Sequence, residues 1–237
     1  MWILTAVLTG VLAGVLHVIS GPDHLAAVAP LAAGDRSRPW RQGLMWGIGH
    51  SSGTWILALV ALAFREALDV DAISTWSERL VGIVLIAIGI WTLQRAMRSR
   101  VHVHAHSHDG STHVHARAHG ASTEHDAHAA HGPHSHTHGA LGVGTIHGLA
   151  GTSHLLGVLP ALALPTRSGA VAYVIAVGLG SIIAMTVFAA AVGYIARRSG
   201  RLGPRAGQRF VIAASLLAMC VGVYWLYVSF GAGEHAA

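Results

Sequence analysis

Residues 14–32 read GVLHVISGPDHLAAVAPLA, and residues 144–162 read GTIHGLAGTSHLLGVLPAL. Gly, His, Gly, His, Leu, Val and Pro recur at identical offsets, seven matches in nineteen positions. Further along, Gly47-Ile48-Gly49 echoes Gly178-Leu179-Gly180, and Glu78-Arg79-Leu80 echoes Gln208-Arg209-Phe210. The chain therefore reads as two related halves, residues 1–97 and 140–237, joined by a polar stretch at 98–139.

Both copies of the motif lie inside long apolar runs. The 237-residue chain is 53% hydrophobic and 11% charged, with a mean hydropathy of 0.54; a soluble domain carries about a quarter charged residues. Six runs reach or approach the roughly 20 residues needed to cross the hydrocarbon of a bilayer. They lie at about 2–20 (with an apolar extension to 33), 43–64, 79–96, 141–165, 170–196 and 209–230. Backbone groups facing lipid need partners within their own segment, so each run is expected to be a helix. The first run lacks a basic leader and continues past any cleavage point, which reads as a retained span rather than a signal peptide. Cys220 stands alone in the last run, which rules out an intrachain disulfide or a CxxC metal site and reads as a small core residue.

The basic residues are all arginine, with no lysine. Loops after the first, third and fifth runs hold Arg36, Arg38, Arg41, Arg95, Arg98, Arg100, Arg117, Arg197, Arg198, Arg201, Arg205 and Arg209. The other side holds only Arg65, Arg79 and Arg167. Twelve against three predicts, by the positive-inside bias, extracytoplasmic termini and a cytoplasmic connecting loop. Arginines gathered at span ends are topology signals, so nucleic acid is not an expected partner. Three spans per half is an odd number, so the second half is inverted relative to the first. The expected fold is an all-α polytopic membrane protein, six transmembrane helices in two inverted three-helix repeats, a transporter architecture with its site where the halves meet. Gly21-Pro22 and Gly151-Thr152 interrupt the first run of each half, and Pro30 and Pro160 follow at equal distances. The first helix of each half is thus expected to be broken.

His17, His24, His50, His147 and His154 fall within these apolar segments. Ionisable groups at membrane depth are costly and mark pathways or sites. Four of the five occupy matched positions beside the expected breaks, and we read all five as metal ligands. His17 and His24 are seven residues apart, about 10.5 Å along a continuous helix, too far for two imidazoles on one ion at about 2.0–2.1 Å. Either the Gly21-Pro22 break folds them together, or each joins ligands from other spans. Asp23, whose counterpart is Ser153, is a candidate ligand, an orienting group for an imidazole, or a helix cap. His50 is matched by Ser181, and Met45 and Met185 read as packing residues.

Between the halves, residues 102–138 hold thirteen histidines among small and polar residues. Such a composition is too poor in apolar residues for a core and is expected to be disordered. Its density of imidazole points to metal buffering by His102, His104, His106, His108, His113, His115, His134, His136 and His138. Imidazole suits Ni, Co, Zn and Cu(II), among which composition alone does not choose.

The segments HVISGPDHLAAVAP, WGIGHSSG and HGLAGTSHLLGVLPALALP together resemble the nickel/cobalt transporter superfamily, in particular its UreH-like, high-affinity nickel-transport branch. The resemblance covers both halves. It implies Ni²⁺ or Co²⁺ as transported substrate and carries the metal role onto His17, Asp23, His24 and His50. The best-known uptake members have a motif HAxDADH, with five residues between the histidines; here six intervene, and Ser20 replaces the inner acid. Export members can also carry a histidine-rich loop, so direction stays open between uptake and efflux.

The expected function is therefore a divalent-metal transporter of a bacterial inner membrane, without a resident cofactor and without enzymatic activity. No nucleotide-binding motif, HExxH or evident serine–histidine pair occurs. The alternatives are a transporter preferring Zn²⁺ and a non-transporting accessory for urease or hydrogenase maturation. Expected partners are the metal ion, the lipid bilayer, a metallochaperone or maturation protein, and a second copy of the chain. The arginine asymmetry makes one direct prediction: reporters fused after Ala237 should be active only outside the cytoplasm, and cytoplasmic activity would overturn the topology.

Overall fold

The computed structural model describes residues 2–35, 37–64, 70–98, 101–108, 111–118, 135–149 and 159–234. Seven α-helices occur among them: α1 (Trp2–Ser20), α2 (Pro22–Gly34), α3 (Pro39–Phe64), α4 (Val70–Arg98), α5 (Ser135–Leu149), α6 (Arg167–Arg201) and α7 (Pro204–Glu234). A 3₁₀ turn at Leu159–Ala163 precedes α6. Among the described residues, four stretches are long and apolar enough to cross a membrane: Trp2–Ser20, Glu78–Arg98, Arg167–Arg201 and Arg205–Phe230. The expected spans at 2–20, 79–96, 170–196 and 209–230 fall on these four. Of the other two, 43–64 falls within α3, and 141–165 is described only in part. The chain is an integral membrane protein. Its outer surface agrees: Leu4, Leu8, Leu12 and Leu16 form an exposed stripe along α1, and Val171, Ile175, Leu179, Ile183 and Val187 another along α6. In water such stripes would be liabilities; in a bilayer they face lipid.

Helix pairing follows the small residues. α1 packs on α6, α3 on both α5 and α6, and α4 on α7. A methyl group added at Gly14 of α1 would strike the Val177 carbonyl of α6, and one at Gly144 of α5 would strike the Trp46 carbonyl of α3. Likewise, Gly180 abuts the Val11 carbonyl and Gly49 the Leu141 carbonyl. Such backbone-to-backbone approach is how membrane helices associate without a hydrophobic driving force between them. The α4–α7 seam has the same close approach, with Gly82 against the Gly222 carbonyl and Gly89 against the Ser215 carbonyl, and adds polar bonds to it. Arg79 donates to the Ser229 carbonyl at 3.3 Å, the hydroxyls of Thr92 and Ser215 bond at 2.8 Å, and Gln208 donates to the Ala96 carbonyl at 2.9 Å.

Short helix α2 sits in the centre, against α3, α4, α6 and α7. Its Ala27, Val28 and Ala32 are fully buried and join Trp46, Leu85, Met185 and Ala218 in the core. Small side chains are what allow one helix to be enclosed by four others. Beyond α2, Asp35 shapes the entry to α3, accepting from Ser37 N, Ser37 Oγ and Arg38 N, each at 3.0 Å, and from Gln42 Nε2 at 2.9 Å. Burial pushes its carboxyl up, but the hydrogen bonds from Gln42, Arg38 and Ser37 prevail and hold it below the usual carboxylate range. At the α6–α7 corner Gly203 takes φ 138°, a conformation that glycine adopts without penalty, and Pro204 opens α7.

Two expectations are corrected. The histidine-rich stretch is not wholly irregular: Val101–His108 (β1) and Ser111–Ala118 (β2) pair antiparallel, and α5 already begins at Ser135. The signal is the alternation of histidine with Val, Ala or Ser in VHVHAHSH, a period of two. Cys220, expected in the core, lies on the exposed face of α7.

Gly49→Leu should destabilise the bundle by roughly 1–3 kcal/mol, as overpacking does. The readout is a lower denaturant midpoint of the purified protein. Gly142→Leu, where an added Cβ meets nothing within 4 Å, should leave the midpoint unchanged.

Candidate metal centre

The break expected at Gly21-Pro22 is one residue long. Gly21 N still donates to the His17 carbonyl at 3.1 Å, and the Gly21 carbonyl accepts from His24 N at 3.2 Å and Leu25 N at 3.4 Å. Gly21 itself is extended (φ −88°, ψ 101°), and Pro22, which has no N–H to lose, starts α2. This single turn of the chain changes the helix direction enough to bring the His17 and His24 rings to 4.7 Å between centroids. Of the two arrangements the spacing left open, the fold has the one in which the break brings the pair together. The Gly21 dihedrals are open to any residue, so space is what requires glycine. An added Cβ would collide with His24 Nδ1 and approach Asp23 Oδ1 to 3.0 Å.

Two more histidines arrive from other helices. His50 of α3 lies 4.9 Å from His24 and 5.9 Å from His17, and His147 of α5 lies 4.9 Å from His24, all between ring centroids. The α3–α5 approach is made possible by glycine again, since Gly148 lies directly against the His50 carbonyl. Asp23 joins the set through both carboxylate oxygens: Oδ1 is 3.1 Å from His24 Nδ1, and Oδ2 is 3.0 Å from His147 Nε2. The α2 N-terminus has no side-chain cap, so Asp23 does not play the capping role considered for it. His24 and His147 are 1% exposed, His50 is 2% and Asp23 is 6%, which removes this cluster from bulk solvent.

Trp46, one turn before His50 on α3, was not anticipated. Its indole stacks on His50 at 5.0 Å with planes 14° apart, and it lies 5.0 Å from His147 and 5.7 Å from His24. The i, i+4 spacing in WGIGH was the available signal, because it places both rings on one helix face. Met45 and Met185 pack in the apolar core. His154 lies outside the described residues. Of the loop histidines, His102, His104, His106 and His108 are on β1, and His113 and His115 are on β2. The register sets His104 opposite His115 and His106 opposite His113. His136 and His138 fall in the first turn of α5, and His134 is outside the described residues.

Among the described residues, two groups of potential ligands result. His17, His24 and His50 form one, and Asp23, His24 and His147 the other, with the donor atoms of each group within 4.8 Å of one another. Closure to metal–ligand bonds of about 2.0–2.2 Å asks for small side-chain movements. Imidazole with one carboxylate is a donor set for borderline divalent metals rather than for Cu(I), Mg²⁺ or Ca²⁺.

These features define an integral membrane protein with a buried histidine–aspartate cluster, and comparison with known proteins narrows the class. The chain is 27% identical over 232 residues to urease accessory protein UreH of Bacillus sp. strain TB-90, covering 94% of this chain and 92% of that protein. It is 34% identical over 221 residues to chloroplast protein FOR GROWTH AND FERTILITY 1 of Arabidopsis thaliana, covering 93% of this chain and 58% of that protein. The chain thus spans little more than half the length of its plant relative. A shorter match, 26% identical over 106 residues, links 43% of the chain to 47% of a Methanocaldococcus jannaschii protein named as a candidate nickel/cobalt efflux system. The chain is thus a distant homologue of a urease accessory protein and of a protein named for nickel/cobalt efflux. No family model matches it, and no solved structure does.

Gly21→Ala should displace the His24 imidazole from Asp23 and weaken equilibrium Ni²⁺ or Co²⁺ binding about 10–100-fold, as loss of an orienting partner does. Gly34→Ala, where an added Cβ meets nothing within 4 Å, is the control and should bind normally.

Proposed function

We propose that this protein carries a divalent transition-metal cation, Ni²⁺ or Co²⁺, across a membrane through the cluster of His17, Asp23, His24, His50 and His147. The single observation that carries the reading is convergence. Four imidazoles and a carboxylate from four different helices meet within a membrane protein, all of them buried except the half-buried His17, and polar groups at such depth are expensive unless used. The likeness to UreH and to a protein named for nickel/cobalt efflux favours the same cargo. In this reading the metal is a substrate, and the protein is a carrier with neither enzymatic activity nor a resident cofactor.

The inverted-repeat arrangement belongs to the same proposal and has support in the packing. Gly14 and Gly144 occupy the same place in the repeated motif, as do Gly49 and Gly180. Each pair makes corresponding contacts, α1 against α6 in one case and α5 against α3 in the other. In the proposed topology of six crossings, with termini outside and the histidine-rich stretch in the cytoplasm, that correspondence relates the halves by a pseudo-two-fold axis in the membrane plane. A bacterial inner membrane is the setting proposed from the sequence.

Moving a divalent cation inward releases about 4.6 kcal/mol per 100 mV, twice the roughly 2.3 per elementary charge. Uptake thus needs no further energy source, whereas export needs a coupled gradient. The histidines of the connecting stretch would raise the local metal concentration at one mouth of the path. A second reading has its own support, because UreH is named as an accessory of urease: a protein that binds metal at the membrane and passes it to a maturation partner without transporting it.

Flux into proteoliposomes separates the two. Wild-type protein should move Ni²⁺ or Co²⁺ faster than Zn²⁺ or Mn²⁺. His17→Gln and His24→Gln, which keep polarity but remove imidazole coordination, should reduce flux about a hundredfold or more. His113→Gln should leave it intact. Normal flux in both membrane-histidine variants would refute an imidazole-lined path, and binding without flux in the wild type would favour the accessory role.

A further inference from the structure

The two ligand groups overlap in a single residue, His24, and they differ in origin. His17, His24 and His50 all come from the first half of the chain, on α1, α2 and α3. Asp23, His24 and His147 join α2 of the first half to α5 of the second. Resting on the metal-carrier reading above, we propose that these are two alternating positions of one transported ion, a first-half position (His17, His24, His50) and a bridging position (Asp23, His24, His147).

The ring arrangement makes His24 the hub. Its centroid is 4.7 Å from that of His17, 4.9 Å from that of His50 and 4.9 Å from that of His147. Nδ1 of His24 faces Asp23 Oδ1 at 3.1 Å, and Asp23 Oδ2 faces His147 Nε2 at 3.0 Å. An ion held by His17, His50 and Nε2 of His24 leaves both contacts in place, and the carboxylate then fixes the orientation of the liganding imidazole. An ion in the bridging position takes over those same contacts, with His24, Asp23 and His147 as its ligands. Simultaneous occupancy is opposed by charge. Two divalent ions repel four times as strongly as two unit charges at the same distance, and Asp23 is the one carboxylate in either group.

The positions respond differently to movement between the halves. The first is carried by three helices consecutive in the chain, α1, α2 and α3, of which α1 and α3 also pack on α6 of the second half. The second is assembled or dismantled as α5 moves relative to α2, which is the behaviour that alternating access between repeats requires. One position retains the ion, and the other is open only in part of the cycle.

The test uses the full-length protein in detergent with Ni²⁺ alone as probe. Wild type should bind one ion per chain with three imidazoles in its X-ray absorption spectrum. His147→Gln should lose transport yet keep that stoichiometry and bind with less than about a tenfold loss of affinity, whereas His50→Gln should weaken binding about a hundredfold or more. A wild-type sphere of four imidazoles, two ions per chain, or equal loss of binding in both variants would overturn the proposal in favour of a single composite site or two coexisting sites. If His147→Gln does not fold, the wild-type imidazole count decides alone. Failure of the wild type to bind Ni²⁺, Co²⁺ or Zn²⁺ at all would instead overturn the carrier reading itself.

Discussion

A carboxylate shared between two imidazoles governs the centre of this molecule. Asp23 uses one oxygen on His24 and the other on His147, and so connects α2 to α5 within a bundle whose other contacts are largely apolar. Buried polar groups are tolerated when each finds a partner. That requirement sets the positions of the surrounding parts. α2 must present Asp23 and His24 in its first turn, which needs a helix start at Pro22, and α5 must end close enough for His147 to reach the carboxylate. The chain turn at Gly21 satisfies the first condition. The glycine face of α5 against α3 satisfies the second and brings His50 in with it.

The enclosure of α2 follows from the same constraint. A helix that carries an ionisable pair cannot face lipid, and Ala26, Ala27, Ala32 and Ala33 are small enough for α3, α4, α6 and α7 to close around it. Trp46 completes the enclosure on the α3 side with its ring over His50. The cluster is thereby bounded on that side by an aromatic ring, which lies against His24, His50 and His147 alike.

Much of this was legible in the sequence, and what was not has identifiable physical causes. Apolar runs and the repeated motif named the membrane helices and the residues of interest, because burial in lipid imposes length and composition directly. The Gly21-Pro22 break was readable from residue type, but its angle was not. Spacing along a chain does not specify how far a one-residue turn swings a helix, so the proximity of His17 and His24 had to come from the structure. An aromatic residue in an apolar helix is ordinarily a packing residue, so the WGIGH spacing alone does not distinguish Trp46. Composition alone does not show the β1–β2 pairing, whereas the alternation in VHVHAHSH does. Cys220 illustrates an opposite bias: a small residue in an apolar span was assigned to the interior, although lipid accepts a thiol as readily as a core does.

The seams between helices have mechanical consequences. Where α1 meets α6 and α3 meets α5, glycine lies on carbonyl with few side chains interposed. Such a surface resists separation, since it forfeits close contact when opened. The α4–α7 seam is pinned at three heights by Arg79, Thr92 and Gln208. That seam combines polar bonds with the same glycine-on-carbonyl approach, at Gly82, Gly89 and Gly222, so parting it forfeits both at once.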